Sequence, residues 1–205
     1  MTTIITYPNA AGFPGFTTYD LKLVRKSFGL RSPFTGKRQV INTTYALWSF
    51  KGTYSLTDTT NAALLRSFLA QLEGQSNAFR LPIPEYSKPS TGYVGAAGLV
   101  NGSNQTGKSL VTDGWTASAA IFKQGDYFTI NDELKLVTAD ATANGSGQLS
   151  ISFEPALRAS PADNLALVIN NPTVLLASNE DDAANWTLRP PILYQFELDC
   201  LECVE

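Results

Sequence analysis

The sequence contains no histidine, which removes the side chain that titrates nearest neutral pH and the commonest protein metal ligand. Without it neither a Ser-His nor a Cys-His nucleophile can be assembled, and acid–base chemistry would fall to carboxylates, lysines or tyrosines. Charge is scarce as well. Only 16% of the 205 residues are Asp, Glu, Lys or Arg, against roughly a quarter in ordinary soluble domains. Small and turn-forming residues stand where Lys and Glu would solvate a surface, which predicts that part of this surface meets another subunit. No apolar run reaches the ~18 residues of a membrane helix, so membrane insertion is not expected. The N-terminus MTTIITYPNAAG has no basic stretch followed by an apolar one, so the expectation is cytosolic synthesis without Sec-type export. The N-x-[ST] triplets at Asn42, Asn101, Asn104, Asn144 and Asn185 then carry no glycosylation meaning. Together these absences predict a chain that is not an enzyme and holds no cofactor.

What the chain does have is strand chemistry. YDLKLVRKS alternates Leu21 and Leu23 with polar residues, RSPFTGKRQ (31–39) carries turn-forming Pro33 and Gly36, and VINTTYALWSFKGTYSL is rich in β-branched and aromatic residues. A long hairpin over about 19–54 with a polar, basic tip is the expectation. One helix follows at about 58–73, capped by Asp58 or Thr57, with Leu64, Leu65, Phe68, Leu69 and Leu72 as its buried stripe and Gly74 at its C′ position. NAFRLPIP returns to strand, with Phe79, Leu81 and Ile83 alternating until Pro82 and Pro84 end it.

Residues 85–92 read as a linker. Beyond them come short strands at ~8–12-residue spacing with Gly- and Asn-rich turns, the texture of a small barrel or sandwich. Its expected core is Tyr127, Phe128, Ile130, Leu136, Ile151 and Phe153. From Leu165 onward the strands are expected to rejoin the first region. The predicted organisation is therefore discontinuous: a mainly β core from residues 1–92 and 161–205, and a small β unit inserted at 93–160.

The sharpest motif is Gly102-Ser-Asn-Gln-Thr-Gly107-Lys108-Ser109, which fits G-x-x-x-x-G-K-[ST]. Phosphate binding by that motif needs a strand before it and a helix straight after it, whose N-terminal N–H groups cradle the anion. The residues that follow, LVTDGWTAS, lack helical periodicity, so a turn between strands is the expectation and nucleotide hydrolysis the rival. Cys200-Leu-Glu-Cys203 supplies two thiolates, and a structural zinc site needs four ligands. Two reduced cysteines are expected, with a metal or cluster shared between subunits as the alternative. Asp132-Glu133, Glu180-Asp181-Asp182 and Asp199 with Glu202 form no spaced constellation and read as solvated charge. The net charge of −3 and the dispersal of Lys22, Arg25, Lys26, Arg31, Lys37 and Arg38 argue against specific nucleic-acid binding. Trp48, Trp115 and Trp186 leave a carbohydrate-binding β-sandwich, as in a tail fibre or adhesin, as a further rival.

RSPFTGKRQVI followed by ALWSFKGTYSLT and then LLRSFLAQLEGQSNAFRLP resembles the distal tail or tail-tip subunits of siphophage-like tails and related gene-transfer particles. GLVNGSNQTGKSLVTDGW through LKLVTADATANGSGQLSISFEPALR resembles the small β inserts of phage structural proteins. The two segments span residues 31–82 and 98–158 of the 205. The resemblance implies a tail-tube-like β-sandwich or split barrel with one packed helix. It further implies a homohexameric ring in the virion tail, joined to the tube protein and to tip or hub proteins. DNA would pass through the lumen without specific binding, with the hairpin lining the channel or bridging to the next subunit. The C-terminal cysteines are similar to those of cysteine-bearing tail-tip proteins, whose clusters use more cysteines than this chain has.

Overall fold

Alternation and β-branching over residues 18–56 produce the longest pair of strands. The computed structural model describes residues 2–8, 15–56, 58–84, 86–181, 185–189 and 193–204. In it β1 (Ile4–Ile5) precedes β2 (Thr18–Arg31) and β3 (Arg38–Leu56), and the last two pair antiparallel from Thr18↔Thr53 out to Arg31↔Arg38. At the tip the Ser32 N–H donates to the Lys37 carbonyl, and Gly36 takes the left-handed conformation (φ +68°) that the turn requires. Partway along, Arg25 pairs Ala46 and Ser27 pairs Asn42, so three residues of β3 oppose the single Lys26 of β2. Such a bulge bends and twists a ribbon.

Helix α1 (Thr59–Gln71) starts at Asp58, whose carboxylate accepts from the Thr60 and Asn61 N–H groups at 3.0 and 3.2 Å. Thr57, the other candidate cap, lies outside the described residues. Leu65, Phe68, Leu69 and Leu72 are buried as expected, but Leu64 is exposed and Ala62 takes its place. Positions 62, 65, 69 and 72 advance by three or four residues and share one face, whereas 64 lies about 100° off it. The helix ends differently too. Glu73 is already left-handed at φ 50°, with Gly74 following it, so glycine stands one position later than the sequence suggested.

After β4 (Ala78–Pro82) the chain builds β5 (Leu99–Val100), β6 (Gly107–Asp113), β7 (Ala120–Phe122), β8 (Tyr127–Ile130), β9 (Glu133–Val137), β10 (Ala141–Thr142) and β11 (Leu149–Leu157). It closes with β12 (Thr173–Ser178), β13 (Asn185–Arg189) and β14 (Leu193–Glu202). The fold is mainly β with one helix. The large sheet runs β1-β4-β12-β14-β3-β2, with β13 against β14, so strands from the two ends of the chain interleave. Its core of Trp48, Phe50, Tyr54, Phe79, Phe196 and Leu198 is covered by α1. The middle segment forms a second sheet, β5-β6-β11-β9-β8, and a β7–β10 pair around its own cluster of Phe122, Phe128, Ile151 and Phe153.

Two expectations for that cluster change. Tyr127 and Leu136 pack on the first core, while Phe128 and Ile130 face the second. Tyr127 pairs Leu136 across β8–β9, and alternation places that pair on the opposite side from Phe128. The hairpin is therefore buried on both faces, which a one-sided reading of its alternation misses. Leu167 and Ile169 also pack in the second cluster, so the return to the large sheet begins at Thr173 rather than Leu165.

Candidate functional site

Where the two cores meet, the chain buries ions. Glu202 at the end of β14 has a fully buried side chain; its Oε2 accepts from the Trp48 N–H at 2.9 Å and from Arg158 Nη2 at 2.6 Å. The same Arg158 nitrogen donates to the Ala46 carbonyl at 2.9 Å. Beside them the fully buried Lys135 donates to Glu133 at 2.6 Å and to the Ala156 carbonyl at 3.0 Å, with its ammonium 5.7 Å from the centre of the Phe153 ring. Burial pushes the Lys135 ammonium below its ordinary range, and Glu133 opposes that shift. Trp48 adds a bond from its indole N–H to the Leu134 carbonyl at 2.9 Å. Two cations and two carboxylates thus neutralise one another while tying β3 and β14 to β9 and the end of β11. Their chemistry is that of a clamp: each ion faces one of opposite sign, although the second oxygen of Glu202, Oε1, is buried without a hydrogen-bond partner.

The clamp holds the base of an arm. β14 pairs β3 only from Ser49 to Leu56, and Glu154 of the middle unit reaches β2 at Arg25. Among the described residues, β2 and β3 have only each other as strand neighbours beyond Arg25 and Ala46. The five paired positions from Ser27 to Arg31 reach about 17 Å, plus the turn. Phe28 is 70% exposed, Leu30 67%, Phe34 95% and Ile41 56%. Phe28 stands directly opposite Ile41, and Leu30, two residues on, shares their face. Arg31 and Arg38 pair across the other face, where the Arg38 guanidinium lies over Gly29. Exposed apolar side chains clustered on a ribbon are the surface feature that marks a partner.

A charge pattern accompanies the shape. Residues 21–57 hold seven of the 15 Lys and Arg and none of the 18 Asp and Glu, so that segment is formally +7 and the remainder −10. Reading only for unbroken basic runs hides this; counting acids in the same window reveals it. Lys22 lies 3.6 Å from Asp20, Arg25 2.7 Å from Glu154 and Lys51 2.5 Å from Asp199. Arg31, Lys37 and Arg38 at the tip have no acidic partner among the described residues.

The other sequence candidates separate. Gly102–Ser109 is a loop running into β6: Gly102, Asn104 and Gly107 have positive φ, Gly102 N–H donates to Asp163, and Lys108 meets Glu154 at 2.6 Å. A strand, not a helix, follows, so the oriented N–H groups of a phosphate cradle are missing from this loop. Cys200 is buried in the first core, where burial pushes its thiol up to about 12. Cys203 lies just past the end of β14, half-buried and lining a pocket with Leu175 and Val204. Trp48 and Trp115 are buried with both indole N–H groups bonded, and the Trp186 side chain lies outside the described residues. Glu133 and Glu202 are clamp members rather than solvated charge. Asp132 forms a two-pronged pair with Arg80 at 2.7 and 2.8 Å, which holds its carboxyl below the usual range. Glu180 and Asp181 are exposed, and Asp182 lies outside the described residues. A scan against protein-family models finds no match, and a search of curated proteins finds none either.

Proposed function

We propose that this chain is a structural subunit that assembles with copies of itself, as a ring at the distal end of a phage-like tail. The observation that carries the reading is the arm: an apolar, charge-bearing ribbon projecting from a base that buried ions hold rigid. A monomer gains nothing from exposing Phe28, Leu30, Phe34 and Ile41 together, whereas a subunit that covers them on assembly does. Low overall charge and the sequence resemblance support the same reading, and the resemblance supplies the six-fold count, the virion location and the tube and hub neighbours. A sugar-stacking role is less well supported, because Trp48 and Trp115 offer no exposed ring face.

The test is assembly against arm integrity. Replacing residues 26–45 by a two-residue Asn-Gly turn joins the paired Arg25 and Ala46 directly and removes no residue of either core cluster. The wild-type chain should gain mass with concentration in sedimentation velocity, and the shortened chain should remain a single copy. Equal behaviour of the two would reject the arm as the assembly element.

A further inference from the structure

Resting on that assembly role, we infer that the arm tip of one copy docks through Arg31, Lys37 and Arg38 onto the outer sheet face of a second copy at Asp20, Glu197 and Asp199. The register that builds the large sheet also builds this receiving face. Asp20 pairs Lys51 across β2–β3, and Lys51 pairs Asp199 across β3–β14, so the three stand side by side. Glu197 lies two residues from Asp199 on the same side, and Glu180 is close enough to raise the Lys51 ammonium. Lys51 on Asp199 and Lys22 on Asp20 offset two of these charges, and with Glu197 and Glu180 beside them the face stays net acidic. Asp20, Lys51, Glu197 and Asp199 line an open cleft of about 390 Å³ together with Thr18 and Thr53.

Charge selects the geometry of the contact. Two arms meeting face to face would oppose Arg31, Lys37 and Arg38 with their own copies, which repel. Tip against acidic face is instead a contact between two different patches, the kind that closes into a ring when its rotation permits. Duplex DNA and anionic lipid offer negative charge too. The formally −10 remainder of this chain, however, is the anion present in every assembly, and it presents that charge next to a cleft of side-chain size.

The experiment mixes isotopically labelled and unlabelled full-length chain in low-salt buffer, treats it with a zero-length carbodiimide cross-linker, and maps the products by mass spectrometry. Links from the Lys37 amine to Asp20, Glu197 or Asp199 of the other isotopic form are expected, and high salt should suppress them. Arg31→Glu/Arg38→Glu and Asp20→Lys/Glu197→Lys should each lose the links, and mixing the two variants should restore assembly. All four positions are exposed, so circular dichroism should show both variants folded. Lys37 linked to other carboxylates of the second copy, with assembly intact, would overturn this docking site and leave the assembly role standing. No contact between like chains at any concentration would overturn both. Arm-dependent retention of a DNA duplex or a phosphatidylglycerol vesicle, without intermolecular links, would replace the second copy as the partner.

Discussion

Replacing Arg158 by methionine removes the cation that faces the fully buried Glu202 while keeping much of the side-chain volume. Glu202 then keeps the Trp48 N–H but loses the 2.6 Å guanidinium contact, and its side chain has no exposure through which water could replace that contact. The Ala46 carbonyl loses its Arg158 donor at the same time. Stripping one member from a buried pair costs about 3–5 kcal/mol, and the one-fifth exposure of the Arg158 side chain places the loss near the lower end, about 3 kcal/mol. Glu202→Gln still accepts from Trp48 and leaves a cation that reaches water, so about 1–2 kcal/mol is expected. The double variant should fall short of the sum by roughly 1–3 kcal/mol, because both changes break one contact. Urea unfolding followed by tryptophan fluorescence suits the question, since Trp48 sits in the clamp and Trp115 in the second core. Strict additivity, or an Arg158→Met loss below about 1 kcal/mol, would refute the clamp.

Three further outcomes follow from particular residues. Burial raises the Cys200 thiol from 9.0 to about 12, so the unfolded chain releases that proton first and stability falls as pH rises between those values. The Cys200 share of the fall is about 1.4 kcal/mol per pH unit, about 4 kcal/mol in all, and Cys200→Ala should remove that share in alkaline melts, leaving the overlapping losses from Tyr7 and Tyr86 that begin above 10.0. Lys108→Ala breaks an exposed ion pair and should cost under about 1 kcal/mol, with no MgATP-dependent shift in melting temperature in either protein; a shift in the wild type that the variant lacks would restore the nucleotide reading. A Cβ at Gly52 would lie 2.6 Å from the Phe16 ring, so Gly52→Ala should lose about 1–3 kcal/mol as that ring is displaced, and a neutral melt would place Phe16 elsewhere.

Local chemistry was the legible part of the fold. β-Branched runs and turn residues specify the hairpin, the Asp58 cap and apolar spacing specify the helix, and Phe79 and Leu81 specify β4 through period-two alternation. Less legible was burial that depends on contacts far apart in sequence. Tyr127 and Leu136 look like core residues of their own unit, yet they face the other one, because the β8–β9 hairpin is covered on both sides. Glu133 and Glu202 look like solvated charge, and only burial beside Lys135 and an Arg158 lying 44 positions from Glu202 makes them ion-pair members. The arm lay between these cases. Its strands were evident from pattern, but its exposure depends on β14 ending its pairing at Ser49, and its charge shows only when the missing acids are counted.

The central claim is assembly of like chains through the arm, and electron microscopy of the purified, concentrated protein at low salt tests it most directly. The account predicts closed rings with one fixed number of copies, six by resemblance, in which each arm crosses to a neighbour. Images of single copies at every concentration, or of rings whose arms touch no other subunit, would contradict it.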